Sequence, residues 1–378
     1  MTPFAIIAPA RILFGRGQAL QAGPLLATLG SRVFVVHGRD GARAAPVMDA
    51  VQGAGLTVLG HACPHEPTLA MLDQAVTAAR GFDADCVLGL GGGAAMDLAK
   101  AVAALVPGGE AMDHLEVVGR GLPLRHPPLP FVAMPTTSGT GSEVTKNAVI
   151  DVTEARRKVS LRDDRMVARV AIVDPALTDG CPRGVTLASG LDALTQVIEP
   201  FVSTRANPWT DALCRDAIPR AIAALRRLMD AEDAGARDEI AWASLCGGLA
   251  LANAGLGAVH GLAGPAGGLS GAAHGAICGA LLPHVLRANV AAAPAGSVAA
   301  ARLSQVVGWL AEGFGQPDGI AALAAFARAS GLPGLTQMGI TADMHAELAE
   351  AAQVGSSMKS NPVVLAADAL RAVLVAAG

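Results

Sequence analysis

The chain has 378 residues, of which 52% are hydrophobic and 16% are charged, and its formal net charge is −4. This composition supports a large apolar core and two domains, and it excludes a disordered chain. The weak negative charge argues against nucleic acid as a partner, and Gly, Pro or charged residues interrupt the apolar runs before they reach a membrane-spanning length. Six cysteines without a Cys-x-x-Cys pair are typical of free thiols, which predicts a cytoplasmic protein.

The first half of the chain alternates β-branched apolar runs with helix-like stretches. This alternation predicts a parallel sheet covered by helices. The loop-like segment 108–128 is the longest in this half and is predicted to be a flap near a site. Strands are predicted at 32–38, 56–62, 85–93, 129–137 and 170–178, and helices at 44–53, 68–80 and 94–105.

The second half loses its strand patterns and consists of long Ala- and Leu-rich stretches. We place the boundary near Gly180, in the turn-forming segment 179–184. The fold class is therefore α/β plus all-α, with an α/β domain at 1–179 and a helical domain at 180–378. Helices are predicted at 208–229, 237–254, 276–290, 298–314, 319–330 and 341–352.

Two stretches of the first half are suited to a nucleotide. Gly91, Gly92 and Gly93 end a buried strand and precede a helix that carries Asp97, so backbone N–H groups there would attract phosphate. The segment 134–145, MPTTSGTGSEVT, leaves another strand with many hydroxyl groups. A tight turn and a Ser/Thr-rich turn are the structural alternatives.

The stretch SGLDALTQVIEP places Asp192 and Gln196 four residues apart, at what is predicted to be the start of a helix. One interpretation is an N-terminal cap; the other is a metal or substrate site. His260 and His274 lie 14 residues apart in a glycine-rich segment, which is predicted to be a linker that folds back and brings both imidazoles together. An Asp/His/His set suits Zn²⁺ or Fe²⁺.

Together these motifs resemble the iron-containing (group III) alcohol dehydrogenase family, which includes glycerol dehydrogenases and maleylacetate reductases. The resemblance implies a Rossmann-like dinucleotide-binding domain at 1–179, an all-helical metal and substrate domain at 180–378, an active site in the cleft between them, and a homodimer. It also implies an NAD(P) cofactor and a divalent metal, Fe²⁺ or Zn²⁺. The matching stretches are GGGAAMDLAKA, PTTSGTGSEVT, IVDPALT, SGLDALTQVIEP and HGLAGPAGGLSGAAHGAICGALLPHVLRAN.

The resemblance also assigns residues. Asp192, His260 and His274 correspond to the catalytic metal ligands, and Gln196 stands where a fourth ligand, His, is usual. The positions that would contact the cofactor pyrophosphate, ribose or nicotinamide are Gly91, Gly92, Gly93, Asp97, Thr136, Thr137, Ser138, Thr140, Asn147 and Lys158.

Three positions depart from the family pattern. Gln196 replaces a histidine ligand, which favours a three-ligand site with weaker metal binding or none. Gly264 replaces the histidine that relays protons, so water or a ribose hydroxyl would take that role. Gly38 replaces the acidic residue that selects NAD, and Arg39 follows it, which favours NADP.

The expected function is reversible hydride transfer between NAD(P) and a small alcohol or aldehyde, with metal as the Lewis acid. One alternative is a maleylacetate-reductase-like enzyme that reduces an unsaturated oxo-diacid, with Arg156, Arg157 and Arg162 as candidate basic groups. Others are a dehydroquinate-synthase-like lyase and a binding protein that has lost catalysis.

Overall fold

The computed structural model describes residues 3–378, which form two compact units. The N-terminal unit comprises 7–137 and 141–179, and the C-terminal unit comprises 180–378 together with 3–6 and 138–140. Each unit has a hydrophobic core of its own.

The N-terminal unit is built on a six-stranded, all-parallel sheet, which confirms the predicted fold class of this half. Its spatial order is β3-β2-β4-β5-β8-β1, and β6 and β7 form a separate antiparallel pair. All six residues of β4 are buried, which explains why the sequence shows continuous apolar runs here rather than alternation. The strands are β1 (Arg11–Phe14), β2 (Arg32–Gly38), β3 (Thr57–Cys63), β4 (Cys86–Gly91), β5 (Phe131–Pro135), β6 (Asn147–Val152), β7 (Arg157–Arg162) and β8 (Val170–Val173).

Five helices accompany these strands in the described part of the N-terminal unit. Two of them begin with a side-chain cap that the sequence offers: Asp40 accepts from Ala42 N at α2, and Thr68 accepts from Met71 N at α3. The helices are α1 (Ala22–Leu26), α2 (Gly41–Gly53), α3 (Leu69–Gly81), α4 (Gly93–Leu105) and α5 (Ala111–His114).

Two predictions for this unit are wrong in detail. The strand predicted at 170–178 ends at Val173, because Asp174 caps a 3₁₀ turn that Pro175 begins. The segment 108–128 contains α5 and buries Leu115 and Leu124 in the core, so it is packed rather than a free flap.

The regular elements described in the C-terminal unit are all helices, which confirms the second part of the fold class. Helix α6 lies at its centre: 190–202 is buried without interruption, and α7, α8 and α10 pack against it. The helices are α6 (Arg183–Val202), α7 (Pro208–Asp230), α8 (Ala234–Ala254), α9 (Ala258–Ser270), α10 (His274–Ala292), α11 (Val298–Phe314), α12 (Gly319–Ala329), α13 (His345–Val354) and α14 (Ala367–Ala376).

Within 3–378, α10 is long and apolar enough to cross a membrane, as is the α8–α9 pair if its 100° bend is disregarded. In α10, 56% of the apolar window is buried inside the protein, which is what a core helix of a globular fold shows. The packing of α10 against α6 accounts for its hydropathy.

Two helices correct the sequence interpretation of the central motifs. Helix α6 begins at Arg183, so Asp192 lies in its interior and the N-cap interpretation is wrong. The glycine-rich segment predicted to be a linker is mostly helix α9, and only 271–273 connect it to α10. His260 and His274 therefore sit on two rigid helices, not on a loop.

Candidate metal and cofactor sites

One face of α6 carries three polar side chains: Asp192, Gln196 and Glu199. They lie at positions i, i+4 and i+7, which share a helix face. Their exposed fractions are 1%, 2% and 4%, respectively. Polar groups so far from water need partners, and two other helices provide them.

His260 of α9 is held by Glu199. Its Nδ1 lies 2.6 Å from Glu199 Oε2, and Glu199 Oε1 accepts from Val259 N at 2.7 Å. A carboxylate beside Nδ1 keeps the proton on that nitrogen, which leaves the lone pair on Nε2. Nε2 faces Asp192 Oδ1 at 3.4 Å. This carboxylate–histidine pairing is the usual support of a metal-ligating histidine.

His274 and Cys278 reach the same point from the first turn of α10. Cys278 Sγ lies 3.6 Å from His274 Nε2 and 3.8 Å from His260 Nε2. One donor atom from each of Asp192, His260, His274 and Cys278 lies within 4.8 Å of the others. We call these four residues the donor cluster.

Two glycines allow α10 to approach α6 closely enough to form the donor cluster. A Cβ atom at Gly275 would lie 2.5 Å from the carbonyl oxygen of Ala188, and one at Gly279 would lie 2.6 Å from Leu191 Cδ1. Both distances are shorter than a real Cβ contact, so only glycine permits this spacing. The residue after His274 is thus glycine because His274 must lie against α6.

The donor cluster fits a divalent cation, because two buried oxygen atoms in and next to it have no hydrogen-bond donor among residues 3–378. Asp192 Oδ1 and Gln196 Oε1 are both buried without a hydrogen-bond partner. Gln196 Nε2 donates to the carbonyl oxygen of Gly139 at 3.0 Å, and since a carbonyl only accepts, the amide orientation is fixed. Each such acceptor costs about 1–3 kcal/mol when left unpaired. Carboxylate, imidazole and thiolate are the ligands that Zn²⁺ and Fe²⁺ accept.

The electrostatics of the donor cluster also favour a cation. Burial opposes ionisation of Asp192, but the imidazoles of His260 and His274 beside it outweigh this effect, and the pKa of Asp192 is lowered. Burial also opposes protonation of the histidines. The sulfur of Cys278 and the carboxylates of Glu199 and Asp192 outweigh it, so that the pKa of His260 is raised well above its usual value. Cys278 and Asp192 raise the pKa of His274 to about 9.

The N-terminal unit brings predicted cofactor residues together at one edge of its sheet. After β2 the chain adds β3 on one side and then β4 on the other, so the carboxyl ends of β2 and β4 form a topological switch point, where open α/β sheets bind ligands. Gly38 and Gly91 lie there side by side. A Cβ atom on Gly91 would be 3.2 Å from Gly38 N.

The glycine triplet and the threonines after β5 lie next to each other. Thr136 N donates to the Gly91 carbonyl oxygen at 2.9 Å, and a Cβ atom on Gly92 would lie 3.2 Å from Thr137 Oγ1. Gly93 opens α4, and no side chain caps this helix, so its first N–H groups point out of the glycine turn. Such an uncapped N-terminus at a switch point suits a pyrophosphate.

Asp97 lies inside a hydrogen-bond network of the N-terminal unit. Its carboxylate accepts from Ser142 Oγ at 2.6 Å and from Val149 N at 3.1 Å, and burial raises its pKa. Lys100, one turn further along α4, donates to the carbonyl oxygens of Ser142 and Asn147. These two side chains fasten the hydroxyl-rich segment and β6 to α4.

Two other predicted cofactor residues, Lys158 and Arg39, contact the segment between β3 and α3. Lys158 forms an ion pair with Glu66, and Arg39 is exposed with Nε donating to Pro64 O at 3.2 Å. Ser138 and Thr140 belong to the C-terminal unit.

The basic residues named for the alternative function, Arg156, Arg157 and Arg162, are exposed on and beside the β6–β7 hairpin, and Arg162 pairs with Glu116.

Sequence reasoning missed two residues of the metal site, Glu199 and Cys278. Both carried a usable signal: Glu199 lies seven residues after Asp192, and Cys278 lies four after His274, so each shares a helix face with a predicted ligand.

Two models of known protein families match most of the chain. The model of iron-containing alcohol dehydrogenases matches residues 9–175, and that of the C-terminal region of the Fe-containing alcohol dehydrogenase family matches residues 186–378. The chain belongs to the iron-containing alcohol dehydrogenase family. It is an oxidoreductase acting on CH–OH groups.

Named relatives act on different alcohols. Long-chain-alcohol dehydrogenase 1 of Geobacillus thermodenitrificans is 43% identical over 58% of this chain and 56% of its own length, so the match spans little more than half of that protein. The NAD-dependent methanol dehydrogenase of Bacillus methanolicus is 31% identical over 96% of both chains. A solved structure of 1,3-propanediol oxidoreductase covers all of both chains with a TM-score of 0.88 and 28% identity.

Proposed function

We propose that this protein is an NAD(P)-dependent, metal-dependent alcohol dehydrogenase, or aldehyde reductase, that transfers hydride reversibly to and from a small substrate. The observation that carries the proposal is the convergence of Asp192, His260 and His274, with an unpartnered buried oxygen on Asp192, in a member of this family. Three helices of a packed core hold these side chains, as a preorganised metal site requires.

In this mechanism Asp192 and the two histidines hold the metal. When bound, the nicotinamide supplies hydride exchange and the metal polarises the substrate oxygen. Glu199 keeps the Nδ1 proton of His260 in place, so that Nε2 presents its lone pair. The buried surroundings exclude bulk water and strengthen every charge interaction at this point.

The proton that leaves the alcohol has no side-chain carrier at Gly264. This residue lies four positions after His260 on α9, and a Cβ atom there would meet nothing within 4 Å. We assign the proton transfer to water, for which this open space would leave room; a bound cofactor would offer a ribose hydroxyl as the other candidate group.

NADP is the proposed cofactor, on the basis of residues at the end of β2. Gly38 brings no carboxylate to repel a 2′-phosphate, and the exposed guanidinium of Arg39 follows directly. The next acidic residue, Asp40, already accepts from Ala42 N as the cap of α2. We further propose a cytoplasmic location, in keeping with six free, buried cysteines. We also propose a homodimer, on the basis of the family resemblance.

Metal removal tests the proposal. We would strip the protein with a chelator, measure NADPH-dependent reduction of a panel of short aldehydes, and then restore Zn²⁺ or Fe²⁺. We expect activity to disappear and return with the metal, and Asp192→Ala to stay inactive throughout. Asp49→Ala, the same change at an exposed site on α2, is the matched control. Full activity in metal-free protein would contradict the metal role.

A further inference from the structure

Three distances within the donor cluster are close to the edges of a coordination tetrahedron. Zinc bonds of about 2.0–2.1 Å to nitrogen or oxygen and about 2.3 Å to sulfur give tetrahedral edges of about 3.4 Å for N···O and about 3.6 Å for N···S. The corresponding distances are 3.4 Å from His260 Nε2 to Asp192 Oδ1 and 3.6 Å from His274 Nε2 to Cys278 Sγ. The third measured edge, from Cys278 Sγ to His260 Nε2, is 3.8 Å.

A hydrogen bond from the thiol explains less of this arrangement. Cys278 has one S–H proton and can donate it to only one of the two Nε2 atoms, although both lie within 4 Å of its sulfur. It also leaves Asp192 Oδ1 without a partner. A cation in contact with all four donor atoms satisfies the sulfur, both imidazoles and this oxygen together.

We propose that Cys278 is the fourth protein ligand, so that the metal centre is an Asp192/His260/His274/Cys278 site with a preference for Zn²⁺. This inference rests on the proposed metal-dependent function and goes beyond it, because it names the ligand set and the metal. A sulfur ligand favours Zn²⁺ over the hard cations Mg²⁺ and Mn²⁺. In this arrangement Gln196 is not needed as a ligand, and its amide nitrogen anchors the Gly139 carbonyl.

X-ray absorption at the zinc edge tests the proposal on the full, unsubstituted chain loaded with Zn²⁺. We expect one sulfur scatterer at about 2.3 Å from zinc, together with nitrogen and oxygen neighbours. In Cys278→Ala the sulfur should disappear, and zinc affinity in a chelator competition should fall by at least about 10–100-fold, the loss caused by removing even an outer-shell partner. Cys214→Ala, which removes another fully buried thiol of the same unit, should change neither.

The outcomes separate this proposal from the proposed function. Zinc bound with nitrogen and oxygen neighbours alone would overturn the role of Cys278 and leave the metal-dependent function standing. Failure of the chain to bind zinc, with aldehyde reduction unaffected by chelators, would overturn both. The first measurement needs no variant, so it decides the question even if Cys278→Ala does not fold.

Discussion

Replacing Glu199 with Gln tests how the metal site is positioned, because the change keeps the size of the side chain and alters one atom. Glu199 accepts two short hydrogen bonds, from His260 Nδ1 and from Val259 N. A backbone N–H only donates, so the Gln oxygen must stay on Val259. The amide NH₂ then faces Nδ1, which must become an acceptor. The imidazole proton moves to Nε2, the atom that faces Asp192 and the metal.

The size of the effect follows from these contacts. A histidine with its proton on Nε2 must change tautomer before it binds metal, and its Nδ1–H then meets a second donor. Loss of such an outer-shell partner lowers metal affinity by 10–100-fold, that is, by about 1.4–2.7 kcal/mol. The bond lost, from His260 Nδ1, is charge-assisted and contributes about 1.5–3 kcal/mol, which agrees with this range.

Zinc affinity of Glu199→Gln is measured by competition with a chromophoric chelator, and folding is followed in parallel by circular dichroism. Glu350→Gln, the same change at an exposed position on α13, is the control and should bind zinc like the unsubstituted protein. Glu199→Gln with unchanged zinc affinity would refute the tautomer argument. A variant that loses its fold as well would show that Glu199 serves the packing of α6 on α9 instead.

Three further predictions concern packing, cofactor choice and pH. Gly279→Ala would put its Cβ 2.6 Å from Leu191 Cδ1, and we expect it to lower the free energy of unfolding in urea by about 1–3 kcal/mol. Gly308 is exposed in α11 and a Cβ there would meet nothing within 4 Å, so Gly308→Ala should raise the free energy of unfolding by about 0.5–1 kcal/mol. Equal effects of the two changes would contradict the packing argument. Gly38→Asp should shift the ratio of kcat/KM values from NADPH towards NADH by about tenfold or more, because a carboxylate repels the 2′-phosphate and binds the 2′-hydroxyl; an unchanged ratio would remove the case for NADP. Burial raises the pKa of Glu143 from 4.5 to about 7, so the folded state holds a proton that the unfolded chain has released, and stability should fall as pH rises through this interval. This fall in the free energy of unfolding amounts to up to about 3 kcal/mol, and Glu143→Gln should lack it. If the variant and the unsubstituted protein lose the same free energy of unfolding between about pH 5 and about pH 8, the reasoning is wrong.

The sheet was predictable because its strands are buried on both faces. Short continuous apolar runs such as RVFVVHG and VLGLGGG are typical of such strands, and the structure forms β2 and β4 from them. The β6–β7 hairpin was missed, although β6 alternates between buried and partly buried residues as a one-sided strand does. Its half-polar sequence, NAVIDV, gives too weak a signal beside the hydroxyl-rich segment before it.

The helix limits around the metal site depended on tertiary packing, which sequence propensity does not report. Glycine lowers helix propensity, so the segment after Ala258 was predicted to be a linker. In the structure it is α9, because its glycines let other side chains close in: a Cβ atom on Gly261 would lie 3.1 Å from Met358 Cε. Asp192 was also placed at a helix start, whereas α6 begins nine residues earlier, at Arg183. Gly190 lies inside this helix, where a Cβ atom would meet Leu225 Cδ1 at 2.6 Å.

The same packing explains why Asp192 needs the two histidines. A carboxylate in the interior of α6 cannot serve as a cap, and its Oδ1 atom has no hydrogen-bond partner among residues 3–378. Such a group persists in a core only when something outside the chain compensates for its burial. Gly275 and Gly279 give up side-chain packing so that α10 can bring His274 and Cys278 to this oxygen. The packing of α10 on α6 and the geometry of the donor cluster therefore depend on each other. The unpaired carboxylate and the close contact of the two helices both point to a bound cation.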